Sequence, residues 1–294
     1  KTRPENLAFL QRLRALLDQY PGTTTVGEIG DDNSLQTMAE YTSGGDKLHM
    51  AYSFDLLTEQ HGADFFHKTV DSIEKKLTDG WPCWAIGNHD VSRVATRWQA
   101  GSPEQLKVYM AMLLTLRGSV CIYQGEELGL TEAELEYKDL VDPYGINFWP
   151  EYKGRDGCRT PMVWHNKEAN GGFSDARPWL PVYDEHYSAA VAVQHEQENS
   201  ILQAYRTFLG WRAQQPVLLK GDIEFLDSPE NTLVYTRTYE GATFLVALNL
   251  TDQQVRITAP AAGQRVSGAP DFVGGSWNDR ELELQPWGVE IATL

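Results

Sequence analysis

Three residues that could do acid–base or hydrogen-bonding chemistry come directly after short apolar runs. Glu28 follows Thr25-Val26-Gly27, and His89 and Asp90 follow Trp84-Ala85-Ile86-Gly87-Asn88. A carboxyl group at a strand end that is partly withdrawn from water holds its proton more strongly and can act as a general acid. A histidine beside an aspartate suits hydrogen bonding to neighbouring hydroxyl groups. On local sequence alone the alternatives stay open: a helix cap or surface charge for Glu28, and a strand-to-loop cap for the other two.

His89 and Asp90 are neighbours in the chain. In an extended backbone successive side chains point to opposite sides. The two can serve one site only if the backbone turns there, so the hypothesis of a shared site predicts a turn at these residues.

Strand and helix patterns alternate four times in the first 130 residues. Apolar, β-branched runs predict strands over 23–28, 48–54, 81–86 and 119–123, and apolar spacings of three and four predict helices over 4–20, 34–41, 64–77 and 103–116. This alternation favours an α/β protein with a parallel sheet. The candidate residues follow strands, and in α/β barrels the active site is built at that end.

Beyond residue 141 the pattern changes twice. A long loop over 142–181 is rich in Pro, Gly, Trp and charge and carries Arg155 and Arg159; loops of this length are usually functional. We interpret Arg159 as functional and Arg155 as a loop-anchoring salt bridge. After a helix predicted over 196–214, strand patterns at 233–237, 243–248, 255–257 and 288–291 favour a small sandwich. We therefore predict domains at 1–215 and 216–294.

Composition excludes several classes of protein. The 294 residues include 25 Lys and Arg against 41 Asp and Glu, a net charge of −16, which argues against nucleic acid and anionic membranes as partners and suits a neutral substrate. No apolar run reaches the length of a membrane span. Three cysteines form neither a disulfide framework nor a zinc pattern, and Cys83 and Cys121 are expected to be buried thiols. Metalloprotease, phosphate-loop and serine-hydrolase motifs are absent from the sequence.

Four motifs occur together and in a fixed order: Val26-Gly27-Glu28, Ala85-Ile86-Gly87-Asn88-His89-Asp90, Tyr123-Gln124-Gly125-Glu126-Glu127-Leu128-Gly129, and Gly154-Arg155-Asp156-x-x-Arg159-Thr160-Pro161-Met162-x-Trp164. With them the chain resembles, over essentially its whole length, the C-terminal half of an α-glucosidase of the α-amylase superfamily, in the oligo-1,6-glucosidase and exo-α-glucosidase branch. The resemblance implies the second half of a (β/α)₈ TIM barrel followed by an all-β sandwich domain.

The resemblance also implies roles for five residues. Glu28 matches the general acid/base and Asp90 the carboxylate that stabilises the oxocarbenium-like transition state. His89 and Arg159 match residues that bind the glucose hydroxyls and close the pocket. Phe54, at the end of the second predicted strand, is a candidate sugar contact with packing as the alternative.

The nucleophile of that family, an aspartate in a Gly-Phe-Arg-x-Asp motif, has no counterpart in this sequence. Four βα units are present where a barrel needs eight, so we expect the N-terminal half of the same enzyme as a partner. We expect no cofactor and no metal in this chain; the resemblance places a structural calcium, where one exists, in the early barrel.

The predicted function is a retaining, exo-acting α-glucosidase on short neutral oligosaccharides, complete only with the upstream half. A transglucosylase of the same family is the first alternative, and a non-catalytic, transporter-associated homologue is the second. We expect a cytoplasmic location, with the periplasm or secretion as alternatives.

Overall fold

Four short parallel strands organise the first part of the chain in the computed structural model, which describes residues 3–77 and 79–294. The strands are β1 (Val26–Ile29), β2 (Met50–Ser53), β3 (Cys83–Trp84) and β4 (Ser119–Val120). β1 pairs with β2 and β3 with β4, and a parallel bridge between Ala51 and Pro82 joins the two pairs. Strand order therefore follows chain order, as βα repetition requires.

Helices separate and surround these strands. They are α1 (Glu5–Leu17), α2 (Ser34–Thr42), α3 (Ala63–Lys76), α4 (Val94–Arg97), α5 (Pro103–Thr115), α6 (Pro143–Phe148), α7 (Val191–His195), α8 (Ile201–Arg212) and α9 (Pro216–Lys220). α3 buries Phe66, Val70 and Ile73, a spacing of four and three that places them on one helix face. α5 begins at a Ser102 cap, whose Oγ accepts a hydrogen bond from the Gln105 amide at 3.2 Å.

Several predicted elements are longer than the observed ones. The third and fourth predicted strands shorten to two residues each, although the Cys121 amide still donates to the Trp84 carbonyl at 2.8 Å just beyond β4. The helix predicted over 196–214 is α8 alone, and Ser200 precedes it as the N-cap, whose Oγ accepts a hydrogen bond from the Gln203 amide. The two strands end where their backbone partners end, and the helix begins after its capping residue.

The remaining strands form two antiparallel sheets. They are β5 (Asp222–Phe225), β6 (Thr232–Tyr239), β7 (Ala242–Asn249), β8 (Val255–Thr258), β9 (Gln264–Arg265), β10 (Ser276–Asn278), β11 (Glu281–Leu284) and β12 (Val289–Thr293). One sheet has the order β5-β6-β7-β12-β9 and the other β10-β11-β8. Side chains of both sheets, including Val234, Leu245, Ile257 and Leu282, form one apolar cluster between them.

The main hydrophobic core runs through both parts of the chain. It includes Phe66 of α3, Trp98, and Tyr109 of α5, whose rings meet with the Trp98 centroid 5.1 Å from each of the others. The same cluster continues into Tyr235 and Val246 of the five-stranded sheet. Helix α9 packs on β6 and β7, and the division at 215/216 stays a prediction.

A buried arginine joins the two parts. Arg237 of β6 is fully buried and donates to the carbonyl of Thr115 at the end of α5. It also donates to the carbonyls of Leu218, Gly221 and Asp222 at 3.0, 2.8 and 3.2 Å. Burial lowers the pKa of Arg237 to about 10. Four backbone acceptors thus satisfy one guanidinium at the junction.

Candidate active site

Glu28 lies on β1 directly beside Tyr52 of β2. The parallel register pairs the two residues, so their side chains leave the sheet on the same side. Burial, and next the negative charge of Glu28, raise the pKa of Tyr52 to about 12. The Glu28 side chain itself is exposed. The expected partial withdrawal from water is therefore not present in this chain, because β1 has a strand neighbour on one side only among the described residues.

Phe54 lies close to the same strand end. A Cβ placed on Gly30 would come within 3.3 Å of the Phe54 ring, and one on Gly27 would come within 2.6 Å of Leu48 Cδ1. The glycines around Glu28 therefore make room for protein side chains. The half-buried Phe54 ring lies against Gly30 and stays a candidate sugar contact.

The backbone turns at His89 and Asp90, as a shared site requires. The Asp90 amide donates to Asn88 Oδ1 at 2.8 Å, which closes the turn. The turn brings His89 Nε2 to 3.6 Å from Asp90 Oδ1. Both side chains stay accessible, with 57% of His89 and 32% of Asp90 exposed.

Two arginines of the long loop converge on Asp90. Arg155 Nη1 and Arg159 Nη2 each lie 2.9 Å from the same oxygen, Asp90 Oδ1. Arg159 Nε also donates to the His89 carbonyl at 2.6 Å. The pattern fixes the carboxylate between two cations while leaving about a third of it open to a ligand.

Arg155 does more than anchor its loop. Its Nε donates to Asp142 Oδ2 at 2.9 Å and its Nη2 to Asp142 Oδ1 at 3.1 Å. The Arg155 guanidinium holds the pKa of Asp142 well below its usual value, at about 2, and the same pair raises the pKa of Arg155. The loop-anchoring interpretation is therefore incomplete, because this salt bridge continues to Asp90.

Glu126 carries a buried carboxyl group, whereas Cys121 is an exposed thiol. Burial raises the pKa of the Glu126 carboxyl to about 8, and both of its oxygens lack hydrogen-bond partners among the described residues. Cys83 is buried as predicted, but Cys121 is exposed, so that prediction was wrong. Cys121 directly follows β4 and lies near Tyr52 of β2.

The structure thus gathers the candidate residues in two neighbouring groups. Glu28 and Phe54 lie at the ends of β1 and β2, and His89, Asp90 and Arg159 lie together after β3. Sequence reasoning missed Tyr52 and Asp142. Tyr52 could have been found by aligning the first two predicted strands in parallel, whereas no sequence signal pairs Asp142 with Arg155.

Two further properties of the described residues bear on ligands. Across 3–77 and 79–294, no group of three or more His, Cys, Asp or Glu side chains is placed to hold a metal ion. No helix in these ranges combines the length and apolar character needed to cross a membrane.

Family models match nearly the whole chain. The model for the α-amylase catalytic domain matches residues 1–221, and the model for the maltogenic amylase C-terminal domain matches residues 223–289. The chain belongs to the α-amylase family. The predicted family and fold class, barrel strands and helices followed by an all-β domain, are confirmed.

Individual relatives agree with this assignment. A probable alpha-glucosidase of Rhizobium meliloti (strain 1021) is 44% identical over 303 residues, covering 100% of this chain and 54% of the relative. An oligo-1,6-glucosidase of Heyndrickxia coagulans is 32% identical over 298 residues, covering 87% of this chain and 53% of the relative. The chain therefore spans about half the length of the curated relatives it matches.

Solved structures of a glucosyl transfer enzyme and of a trehalulose synthase are also similar. The alpha-glucosyl transfer enzyme XgtA has a TM-score of 0.92 and 45% identity over 99% of this chain and 55% of its own. The trehalulose synthase MutB from Pseudomonas mesoacidophila MX-45 has a TM-score of 0.83 and 25% identity over 99% of this chain and 59% of its own. Names among the relatives thus include both hydrolysis and glucosyl transfer.

Proposed function

We propose that this chain supplies the acid/base half of a retaining active site that acts on α-glucosidic bonds. The observation that carries the proposal is the Asp90 carboxylate, held by Arg155 and Arg159 beside His89 while partly open to solvent. A negative charge fixed in this way stabilises a positively charged, oxocarbenium-like transition state. The α-glucosidase relative at 44% identity supports this choice of substrate.

Each candidate residue has a role in the proposed reaction. Glu28 gives its proton to the leaving glycosidic oxygen as the C–O bond breaks and the anomeric carbon bonds to the nucleophile carboxylate. It then takes a proton from the incoming hydroxyl group as that oxygen bonds to the anomeric carbon and the nucleophile leaves. Asp90 stabilises the positive charge that develops on the sugar in both transition states. His89, Arg159 and Phe54 contact the glucose ring.

The nucleophile comes from the N-terminal half of the same enzyme in this proposal. A retaining mechanism needs a second carboxyl group about 5–5.5 Å from the acid/base. Among the described residues β1 and β4 each have one strand neighbour, so their outer edges are where further strands would close a barrel. The exposed position of Glu28 on β1 supports a site in which the acid lies at that seam.

Hydrolysis and glucosyl transfer share this machinery and differ only in the acceptor. Water releases glucose, whereas a sugar or alcohol hydroxyl gives a new glucoside. The similarity to the transfer enzyme XgtA supports transfer as the second candidate function. A non-catalytic, transporter-associated role has less support, because Glu28, His89 and Asp90 are all present.

A neutral α-glucoside or short oligosaccharide is the proposed substrate. The net charge of −16 suits a ligand without negative charge better than an anionic one. Acid–base cleavage of a glucoside needs no cofactor from this chain. A calcium site in the early barrel stays an expectation, and so does the cytoplasmic location.

The test replaces Glu28 in the complete enzyme. Glu28→Gln should lower kcat for a natural α-glucosyl disaccharide by about 10³-fold, because the general acid is lost. An aryl α-glucoside, whose leaving group needs less protonation, should lose less. Exposed Glu40 in α2 is the matched control, and Glu40→Gln should leave both rates unchanged.

Unchanged turnover of both substrates by Glu28→Gln would show that the acid/base assignment is wrong. Comparing free glucose with transfer product at high acceptor concentration, in the wild-type enzyme, decides between hydrolysis and transfer. A wild-type enzyme without either activity would favour the non-catalytic homologue.

A further inference from the structure

A chain of contacts runs from the buried base of the long loop to the Asp90 carboxylate. Asp156 is fully buried and its Oδ2 accepts the amides of Val141 and Asp142 at 2.7 and 2.8 Å. Asp142, whose side chain is also fully buried, accepts the Arg155 amide at 2.9 Å in addition to its guanidinium. This series of contacts therefore begins at Asp156 and Asp142 in the protein interior, where a charged group moves little.

Close backbone packing sets the position of Arg155. Gly154 has a φ of +79°, and a Cβ there would lie 2.8 Å from the Gly145 Cα and 3.0 Å from Asp142 Oδ2. A larger residue would push the Arg155 segment away from α6. The Tyr144 ring covers the guanidinium, with its centroid 5.3 Å from the Arg155 Cζ.

All three kinds of Arg155 guanidinium nitrogen have partners. Nε and Nη2 bind Asp142, and Nη1 binds Asp90 Oδ1. Arg159 differs, since it reaches Asp90 and the His89 backbone and lies where the family resemblance places a sugar-binding arginine. Arg155 is thus built to hold a carboxylate in place, and its planar fork bridges two carboxylates as an ammonium group cannot.

We propose that Asp142 and Arg155 are a positioning pair that fixes the orientation of Asp90 for the transition state. The inference rests on the proposed function, because it assigns the pair to the reaction of that site. The pair does not touch the sugar; it acts through Asp90. Since Asp90 acts most strongly when positive charge develops, a misplaced carboxylate lowers kcat more than it raises KM.

The test uses the complete enzyme and three variants. Arg155→Ala should lower kcat for an α-glucoside about 100-fold with a change in KM of less than about threefold, as expected for a displaced catalytic group. Asp142→Asn, which keeps the side-chain volume, should lower kcat about tenfold. Arg155→Lys should resemble Arg155→Ala. Added guanidinium, at concentrations too low to unfold the protein, should restore part of the kcat of Arg155→Ala.

The matched control is Arg117, which forms an ion pair with Glu74 away from the site. Its Nη1 lies 3.0 Å from Glu74 Oε2, and 13% of its side chain is exposed. Arg117→Ala should keep wild-type kcat, and guanidinium should not stimulate it. Wild-type kcat in Asp142→Asn and Arg155→Ala, a loss confined to KM, or no rescue by guanidinium would overturn the proposal. Failure of both variants to fold would assign the pair to stability alone and overturn it as well.

These outcomes are separate from failure of the proposed function. If the wild-type enzyme neither cleaves nor transfers glucosyl groups, the proposed function fails. If the wild type is active and depends on Glu28, but the Asp142 and Arg155 variants match it in kcat, only the positioning pair fails.

Discussion

The oxygen Oδ1 of Asp90 receives two guanidinium groups and faces an imidazole, all from residues within 4 Å. Such a cluster holds the carboxylate in one orientation, as a stabiliser of positive charge requires. Glu28 lies in a different setting, exposed and next to a tyrosine whose pKa is raised. Two carboxyl groups in unlike surroundings are suited to unlike tasks.

Glu126 gives a pH-dependent prediction at the residue scale. Burial raises its pKa in the folded state from 4.5 to about 8. The folded protein therefore keeps a proton that the unfolded chain releases, so this contribution to stability is complete below about pH 4.5 and is lost as pH rises to about 8. Glu126→Gln should make the free energy of unfolding of the complete enzyme less dependent on pH across this window.

Urea denaturation at several pH values measures this effect. Exposed Glu151 provides the control, since Glu151→Gln should retain the wild-type pH dependence. An unchanged slope in Glu126→Gln would mean that the carboxyl titrates in the folded state much as it does in the unfolded chain.

At the scale of elements, the periodicity of apolar residues predicted the four βα units and the change to β structure. Helices α3 and α5 begin and end within a residue or two of their predicted bounds, because their apolar faces, and the Ser102 cap of α5, are local signals. The lengths of β3 and β4 were not predictable in the same way. A strand ends where its neighbour no longer pairs with it, and that depends on residues more than thirty positions away.

The residues of the candidate site also divide into those that the local sequence predicts and those that depend on distant contacts. Glu28, His89 and Asp90 were visible in the sequence because Glu28 ends one predicted strand and the other two follow another. The Asp142–Arg155 pair was not, since it forms in a loop without periodicity and depends on close contact between Gly145 and Gly154. The exposure of Cys121 could not be read from its apolar neighbours, because it depends on what covers the sheet.

A substitution at Ser102 tests how much the N-cap of α5 contributes to stability. Its Oγ caps the helix at the Gln105 amide, and Ser102→Ala should destabilise the complete enzyme by about 1 kcal/mol. Exposed Ser72 within α3 is the control, because Ser72→Ala should leave stability within about 0.5 kcal/mol. Chemical denaturation measures both, and equal effects would indicate that α5 does not depend on its cap.

At the scale of the whole molecule, a shared core and the buried Arg237 help to connect the α/β part to the β-sandwich. Arg237→Leu leaves three buried carbonyl groups and the partly buried carbonyl of Asp222 without their donor. The free energy of unfolding of the complete enzyme should fall by at least about 3 kcal/mol. Urea denaturation checks this against Arg256→Leu, which breaks an ion pair to Glu283 whose arginine is 78% exposed and should cost less than about 1 kcal/mol.

If both arginine variants lose the same small amount of stability, the four carbonyl groups find other partners and Arg237 does not connect the two parts.

The open sheet predicts how these 294 residues behave when expressed without an upstream half. Within the described part of the chain β1 and β4 offer unpaired edges, and Phe9, Leu16 and Val26 are each more than half exposed. The isolated chain should aggregate and should not cleave an aryl α-glucoside. Light scattering and an activity assay on the purified chain measure both properties. A monodisperse, active chain would contradict the proposal that the nucleophile comes from elsewhere.

Arg237 also determines which gene fusions can succeed. Its side chain belongs to the sandwich, whereas its acceptors at Thr115 and Leu218 belong to the segment before it. A chimera that exchanges 222–294 for an unrelated sandwich loses the donor and leaves those buried carbonyl groups without a hydrogen-bond partner. Natural variants and engineered chimeras should therefore keep the two parts of the chain together. The positions of the carbonyl groups at the junction, more than overall sequence similarity, should decide which replacements are compatible.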